Sequence, residues 1–320
     1  MQVLPFDESH VGDAARLLAA RHRRHVAAEP LLPSRHAETD ACVAEVAAVL
    51  AQDDASGAVA VRDGRIVGFL LGAPKSAASW GPNTWVESAG MAAERADDLR
   101  DLYAAAATRW VEEGRTAHYV LVPAHDEDVV GAWFRLAFGH QHTHAVREVP
   151  DVPPPPTPPH VTVRRAVRDD IPVLARLEVE LPRHQALAPT FSAGDLGSYE
   201  QSLQEWEEDF DDSDFATFVA ELDGRVVGSA VGCPLEKSSA NAGLARPDNA
   251  GFLGFAAVFP ADRGHGAGRA LGEAVLGWSR QQGHACAVTD WRATNLLSSR
   301  AWPALGYRPT FLRLHRLVGY

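Results

Sequence analysis

Residues 258–271 read VFPADRGHGAGRAL and hold the chemistry this chain advertises most clearly. Gly264, Gly266 and Gly268 alternate with His265 and Ala267 between two arginines, Arg263 and Arg269. Glycines let consecutive main-chain N–H groups turn toward one point without Cβ clashes, which makes an anion-binding nest. An apolar run precedes the loop and a helical pattern follows at once, so the free N–H groups and positive end of a helix join the nest. Arg263 and Arg269 add charge-assisted hydrogen bonds. The ligand such a loop suits is a pyrophosphate. A triphosphate loop would need Gly-Lys-Ser/Thr, which is missing. A dinucleotide loop would follow the first strand of a βαβ unit, and this one follows a hairpin and a further strand.

Other residue groups carry weaker chemistry. His140, His142 and His144 alternate in GHQHTH, so a strand would turn them to one face, but no fourth metal ligand is evident. Residues 205–214 (EWEEDFDDSD) hold seven acids and read as a solvated loop. His22 and His25 within HRRH read as an exposed helical face. The three cysteines, Cys42, Cys233 and Cys286, have neither metal-site nor redox spacing, and their odd number argues against a disulfide framework.

The elements that must position the loop are legible because the sequence repeats. Residues 59–74 (VAVRDGRIVGFLLGAP) and 219–234 (VAELDGRVVGSAVGCP) align at an offset of 160, each with Asp-Gly between apolar runs, a hairpin signature. The same offset pairs Ala15-Arg16-Leu17 with Ala175-Arg176-Leu177. Each half therefore starts with a strand and an amphipathic helix. Residues 99–113 and 268–282 predict helices stopped by Gly114 and Gly283. In the second, Leu271, Ala274, Val275 and Trp278 make the stripe of a helix packed on a sheet. A strand follows in each half, then a short helix ending at Gly139 or Gly306. The expected order is β-α-β-β-β-α-β-α-β twice, an α+β fold with a mostly antiparallel sheet flanked by helices in each half. Residues 150–160 (PDVPPPPTPPH) predict a stiff, extended linker between domains 1–149 and 161–320.

With these residues in place, the second half resembles the GNAT acetyltransferases. Arg263-Gly264-His265-Gly266-Ala267-Gly268 matches that family's Arg/Gln-x-x-Gly-x-Gly/Ala loop, and Val258 and Pro260 match its Val-x-Pro lead-in. The segment from Asn295 through Ser298 and Trp302 to Gly306 and Tyr307 is similar to its Asn-x-x-Ala-x-x-x-Tyr-x-x-x-Gly-Phe motif. The resemblance implies an acetyl-CoA-dependent N-acetyltransferase acting on an amine of a small molecule or protein. The alternative is a non-catalytic acyl-CoA-binding module. It also implies that the strand at Ala257, Val258 and Phe259 pairs with pantetheine. The loop of Arg263, Gly264, His265, Gly266, Ala267, Gly268 and Arg269 would hold the pyrophosphate, with Asn295, Ser298 and Trp302 beside the cofactor. Trp302 stands where the family has its acid tyrosine, and residues 251–258 lack the strand glutamate the family often uses. Asp290 is then the first candidate for general base and Glu221 the second.

The first half lacks the loop. At 88–102 (SAGMAAERADDLRDL) there is no glycine run, and Asp97 and Asp98 fall near the places of Gly266 and Ala267. Asp128 falls at Asn295 and Arg135 at Trp302. Two carboxylates would repel a pyrophosphate, so this half is expected to keep the fold without binding CoA. The formal net charge is −12, with neither half basic, which disfavours nucleic-acid and anionic-membrane partners. No signal-like start and no spanning apolar run appear, and a cytoplasmic protein with reduced thiols, able to form a homodimer, is expected.

Overall fold

The computed structural model describes residues 1–153, 157–192, 196–239 and 241–319; Pro154, Pro155 and Pro156 of the expected linker lie outside the described residues. The elements of the first half run β1 (Gln2–Pro5), α1 (Val11–Ala28), α2 (Thr39–Leu50), β2 (Ser56–Arg62), β3 (Arg65–Gly72), α3 (Ala77–Trp80), β4 (Asn83–Val86), β5 (Met91–Ala93), α4 (Asp98–Glu112), β6 (Ala117–Pro123), α5 (Glu127–Arg135) and β7 (Gly139–Glu148). The second half continues with β8 (Val161–Arg165), α6 (Ile171–Ala186), α7 (Tyr199–Asp209), β9 (Ala216–Leu222), β10 (Arg225–Pro234), β11 (Ala250–Val258), α8 (Ala267–Gln281), β12 (Cys286–Arg292), α9 (Ser298–Ala304) and β13 (Arg308–Leu317). The fold is α+β, as the patterning implies.

Packing divides the chain differently from the proline run. One compact unit comprises Met1–His144, Asn241–Pro247 and Pro309–Tyr320; the other comprises Ala145–Ala240 and Asp248–Arg308. A continuous domain over 161–320 is therefore corrected at two places. Residues 241–247 bring Leu244 and Ala245 into the core of unit 1, and β13 pairs antiparallel with β6 from Phe311↔Pro123 to Leu317↔Ala117. The physical reason is an open edge: β6 has β4 on one side, parallel, and needs a partner on the other.

Unit 1 contains the antiparallel sheet β1-β2-β3-β5 and the strands β4-β6-β13. Its core gathers Leu17, Leu18, Val46, Phe69, Leu71, Leu244 and Phe311 in one cluster and Leu70, Leu102, Trp110, Val120, Trp133 and Leu314 in another. His22 and His25 lie in the first region and are buried, not exposed on a helical face as the sequence suggested. The covering elements are α2, which packs on α1, and β13, whose Phe311 ring meets His25 edge-on at 4.6 Å.

Unit 2 has the strand order β12-β11-β10-β9-β8, antiparallel except for β11 with β12. The hairpin turn holds Asp223 at φ 50° and Gly224 at φ 78°, the two positive values a type I′ turn requires. Asp63 and Gly64 repeat it at 51° and 72°. Helix α8 buries Ala267, Leu271, Val275 and Leu276 against the sheet, on the order of 2 kcal/mol for each larger side chain. The run at 205–214 reads as a loop in the sequence, but its first half, 205–209, forms the end of α7. Ser198 caps that helix by accepting from Gln201 N–H at 3.1 Å, and glutamates are good helix formers when one face is solvated.

The repeat holds at the level of caps, with one shift. Gly114 and Gly283 both close a helix with positive φ. The short helix of the first half, however, ends at Ala137 (φ 62°), with Phe138 N–H reaching Trp133 O, as Tyr307 N–H reaches Trp302 O beyond Gly306 (φ 90°). Trp133, not Arg135, is thus the counterpart of Trp302, and Asp126, not Asp128, that of Asn295. The sequence match was drawn to Gly139 because an alanine in the left-handed region is uncommon.

Candidate acyl-CoA site

Strand β11 delivers the chain to the glycine loop, and its pairing creates an opening. It runs parallel to β12 over four residues only, from Ala250↔Cys286 to Leu253↔Thr289. Beyond that point the two strands part, and residues 254–258 are half-buried or exposed. Thr289 Oγ1 donates to Leu253 O at 3.0 Å and pins the fork. On the other side β11 keeps its ladder with β10, where Phe259 N–H donates to Val227 O at 3.0 Å. In an antiparallel ladder the hydrogen-bonded pairs alternate. Phe259 and Ala257 therefore point their main-chain groups at β10, while Ala256 and Val258 point theirs into the opening. This corrects the expected pairing positions: Ala257 and Phe259 are spent on β10, and Ala256 was missed. The Val258 carbonyl already accepts from Arg263 Nε at 3.1 Å, leaving its N–H toward the opening.

The loop follows. A short turn, Pro260–Asp262, is tied to the hairpin by Arg225 and Asp262, at 2.6 Å. Arg225 holds the Asp262 carboxyl below the usual carboxylate range. Gly264 has φ 87° and Gly266 φ 90°, with Arg263 extended before them. These left-handed positions are what glycine supplies, and an anion-binding nest is built from such alternation. Gly266 is the N-cap of α8 and makes no side-chain cap bond, so the first-turn N–H groups have no acceptor from the helix itself. Ala267 is buried; Gly264, His265 and Arg269 are exposed. His265 Nδ1 lies 3.2 Å from Asp262 O, which folds its ring back on the loop.

Asp290 is the first residue of β12 beyond its last pair with β11, so it stands at the fork. Its neighbour Trp291 is buried in the cluster that includes Leu271 of α8. Strand alternation then sends Asp290 to the opposite face, where α6 packs across β11. Glu221 does not reach this place. It lies on β9 and accepts from Arg164 Nε at 2.8 Å, while Arg164 also binds Asp170. That network removes Glu221 as a base.

Asn295 is 5% exposed and its Oδ1 accepts from Leu297 N–H at 3.2 Å, shaping the turn before α9; Ser298 Oγ donates to Asn295 O at 3.3 Å. Sequence reasoning missed His184, whose Nε2 lies 3.3 Å from Asn295 Oδ1. The signal was present: His184 continues the α6 stripe Leu174, Leu177, Leu181 where an apolar residue would be expected. Trp302 is packed in the core against Tyr307 and Gly272, where an added Cβ would meet the indole at 3.3 Å. Tyr307 is core as well, its hydroxyl buried and pushed up in pKa by that burial.

In unit 1 the same place is built differently. Asp97 is the N-cap of α4 and Asp98 its first residue, paired to Arg135 at 3.2 Å and to Arg62 at 2.6 Å. Among the described residues no group of three or more His, Cys, Asp and Glu is arranged to hold a metal. His144 Nδ1 bonds Asn241 Oδ1, and His140 bonds the 142 carbonyl, rather than converging. Among the described residues no helix is long and apolar enough to cross a membrane.

Fold and loop together define an α+β domain with a glycine-rich loop entering a helix beside an open strand edge. Residues 182–307 match the family model described as Acetyltransferase (GNAT) family. Among solved structures the chain is similar to a GCN5-related N-acetyltransferase from Sphaerobacter thermophilus, with TM-score 0.60 and 16% identity over 99% of this chain and 96% of that one. It is also similar to a GCN5-related glucosamine N-acetyltransferase region of a fungal multi-domain GH3 β-N-acetylglucosaminidase, with TM-score 0.53 and 15% identity over 98% of this chain and 38% of that one. A tandem GNAT protein from the clavulanic acid biosynthesis pathway aligns over 100% of this chain and 99% of its own, at 18% identity and TM-score 0.49. At these identities the likeness is one of fold. No curated protein matches the chain in sequence.

Proposed function

We propose that the second unit is an acetyl-CoA-dependent N-acetyltransferase that acetylates an amine of a small molecule or protein. The observation that supports this most directly is the coincidence, on one strand, of an open β11 edge and an uncapped glycine loop entering α8. The residues fit the carrier. The nest and the start of α8 would hold its diphosphate. The Ala256 main chain and the Val258 N–H would meet its pantetheine amides and polarise the thioester oxygen. Bound acetyl-CoA supplies the acyl group as a thioester.

The acceptor nitrogen must lose a proton, which costs an alkylamine of pKa ~10.4 about 4–5 kcal/mol at pH 7. Leaving a thiolate of pKa ~8.5 unprotonated costs about 2 kcal/mol at most. A base is therefore worth more than an acid. Asp290, at the fork and on the α6 face, is assigned that role, directly or through water. His184 and Asn295 close the same side.

Two observations favour a non-catalytic carrier-binding module instead: Trp302 is core, and no residue of 251–258 is a carboxylate. Thiol release from acetyl-CoA across a panel of amines separates the two. Release with any amine upholds the enzyme; tight CoA binding without release from the whole panel upholds the module.

A further inference from the structure

The first unit carries the same strand arrangement, and one side chain sits where its carrier groove would be. On β3 and β5 the ladder pairs Gly68↔Ala93, Phe69↔Ala92 and Leu70↔Met91; on β10 and β11 it pairs Gly228↔Val258, Ser229↔Ala257 and Ala230↔Ala256. Since β3 and β10 correspond at an offset of 160, Met91 occupies the place of Ala256. The alternation agrees: Leu71 N–H donates to Gly90 O at 2.7 Å and Glu94 N–H to Val67 O at 2.9 Å, so Met91 turns its carbonyl away from β3. In unit 2 the equivalent carbonyl faces an opening. In unit 1 it accepts from Arg21 Nη1, and Arg21 Nη2 donates to Ser88 O at 2.5 Å.

Arg21 comes from α1 and is 2% exposed. The residue at its place in the second half is Leu181. A guanidinium is rarely buried without full pairing, because its desolvation is costly. Here two arms of the fork reach the Met91 and Ser88 carbonyls, while Nε is buried with no partner. Trp133 closes the same region, its indole N–H 3.2 Å from Met91 Sδ. We propose that Arg21 is a built-in occupant of the first unit's pantetheine groove, taking the β5 carbonyl that a carrier amide would otherwise take. Unit 1 is then sealed rather than merely short of its phosphate loop, and restoring glycines at Asp97 and Asp98 leaves the groove shut. The inference rests on the acyl-carrier reading of unit 2.

The test uses the full chain saturated with CoA, labelled with 15N-tryptophan, and titrated with pantetheine, which needs no phosphate loop. Trp133→Phe assigns the reporting indole. In the wild type the Trp133 resonance is expected to stay fixed. In Arg21→Leu, which copies Leu181, it is expected to shift saturably as a pantetheine enters unit 1. A folded Arg21→Leu protein whose Trp133 resonance ignores millimolar pantetheine overturns the proposal. If Arg21→Leu does not fold, Arg21→Ala refilled with methylguanidinium serves: pantetheine must compete with the small cation, and absence of competition overturns the proposal equally. A wild type that binds no CoA at all sinks the reading of unit 2 and this one with it, whereas one equivalent of CoA with an inert Arg21→Leu sinks this one alone.

Discussion

Acidification should unfold the first unit well before the carboxylates that usually govern acid denaturation are protonated. His22 is 0% exposed. Its Nε2 lies 2.8 Å from Pro33 O, its Nδ1 has no partner, and its ring stands 5.6 Å from that of His36 and 6.2 Å from that of His25. His25 stacks on His125 at 4.5 Å and meets Phe311 edge-on. Burial, opposed by the bond to Pro33 O and aided by the smaller effects of the Arg21, His36 and Arg35 charges, lowers His22 to about 4. Burial, then the charges of His125, Arg21 and His22, lowers His25 to about 2. Asp126 sits near His125 and Glu45 bonds His36, but neither offsets the burial of these two rings. With folded values below the unfolded one of about 6.5, stability is whole above that pH and falls as the unfolded chain takes up protons the folded chain refuses. At pH 5 each ring contributes a loss of about 2 kcal/mol, so the pair removes about 4 kcal/mol, a large share of a typical domain's stability. Urea unfolding at pH 7.5, 6 and 5 reads this directly, and imidazole C–H resonances should fail to titrate in the folded state. An unfolding free energy that is flat from pH 7.5 to 5, or a His22 or His25 resonance titrating near its ordinary value, would refute the reasoning.

Gly266→Asp places a Cβ 3.1 Å from Pro158 Cγ and a carboxylate at the start of α8. CoA affinity by calorimetry should fall about a hundredfold, the loss of two charge-assisted hydrogen bonds at roughly 1.5 kcal/mol each, and unchanged affinity would clear the loop of its role. Asp290→Asn should lower turnover about a hundredfold with CoA affinity nearly unchanged, the mark of a lost base; equal turnover removes Asp290 from the mechanism. Phe311→Ala should destabilise unit 1 by roughly 3–5 kcal/mol in denaturant melts, and a loss under about 1 kcal/mol would show that β13 is not part of its core.

The parts legible in the sequence were those fixed locally. Asp223-Gly224 and Gly264 to Gly268 demand particular backbone angles, so residue type alone announces the turn and the loop. The α8 stripe announces its buried face for the same reason. What stayed hidden depends on residues far along the chain. Nothing near HRRH says that Phe311 will cover His25, or that the Met91 carbonyl, some seventy positions away, will take Arg21. Likewise, only the ladder with β10 decides that Ala256 and Val258, rather than Ala257, face the opening. Ala137 misled because helix stops are read from glycine, and a tertiary contact through Phe138 holds an alanine there instead.

The membership of Leu244, Ala245 and Phe311 in the first unit's core sets a timetable for synthesis. A domain made of contiguous sequence can close as soon as it clears the ribosome. This one must wait, its β6 edge and apolar interior unfinished, until residue 317 has been made, although most of its residues were translated long before. The nascent chain therefore carries an incomplete sheet through the whole of the second unit's production, and its yield should depend on chaperone supply more than its finished stability suggests.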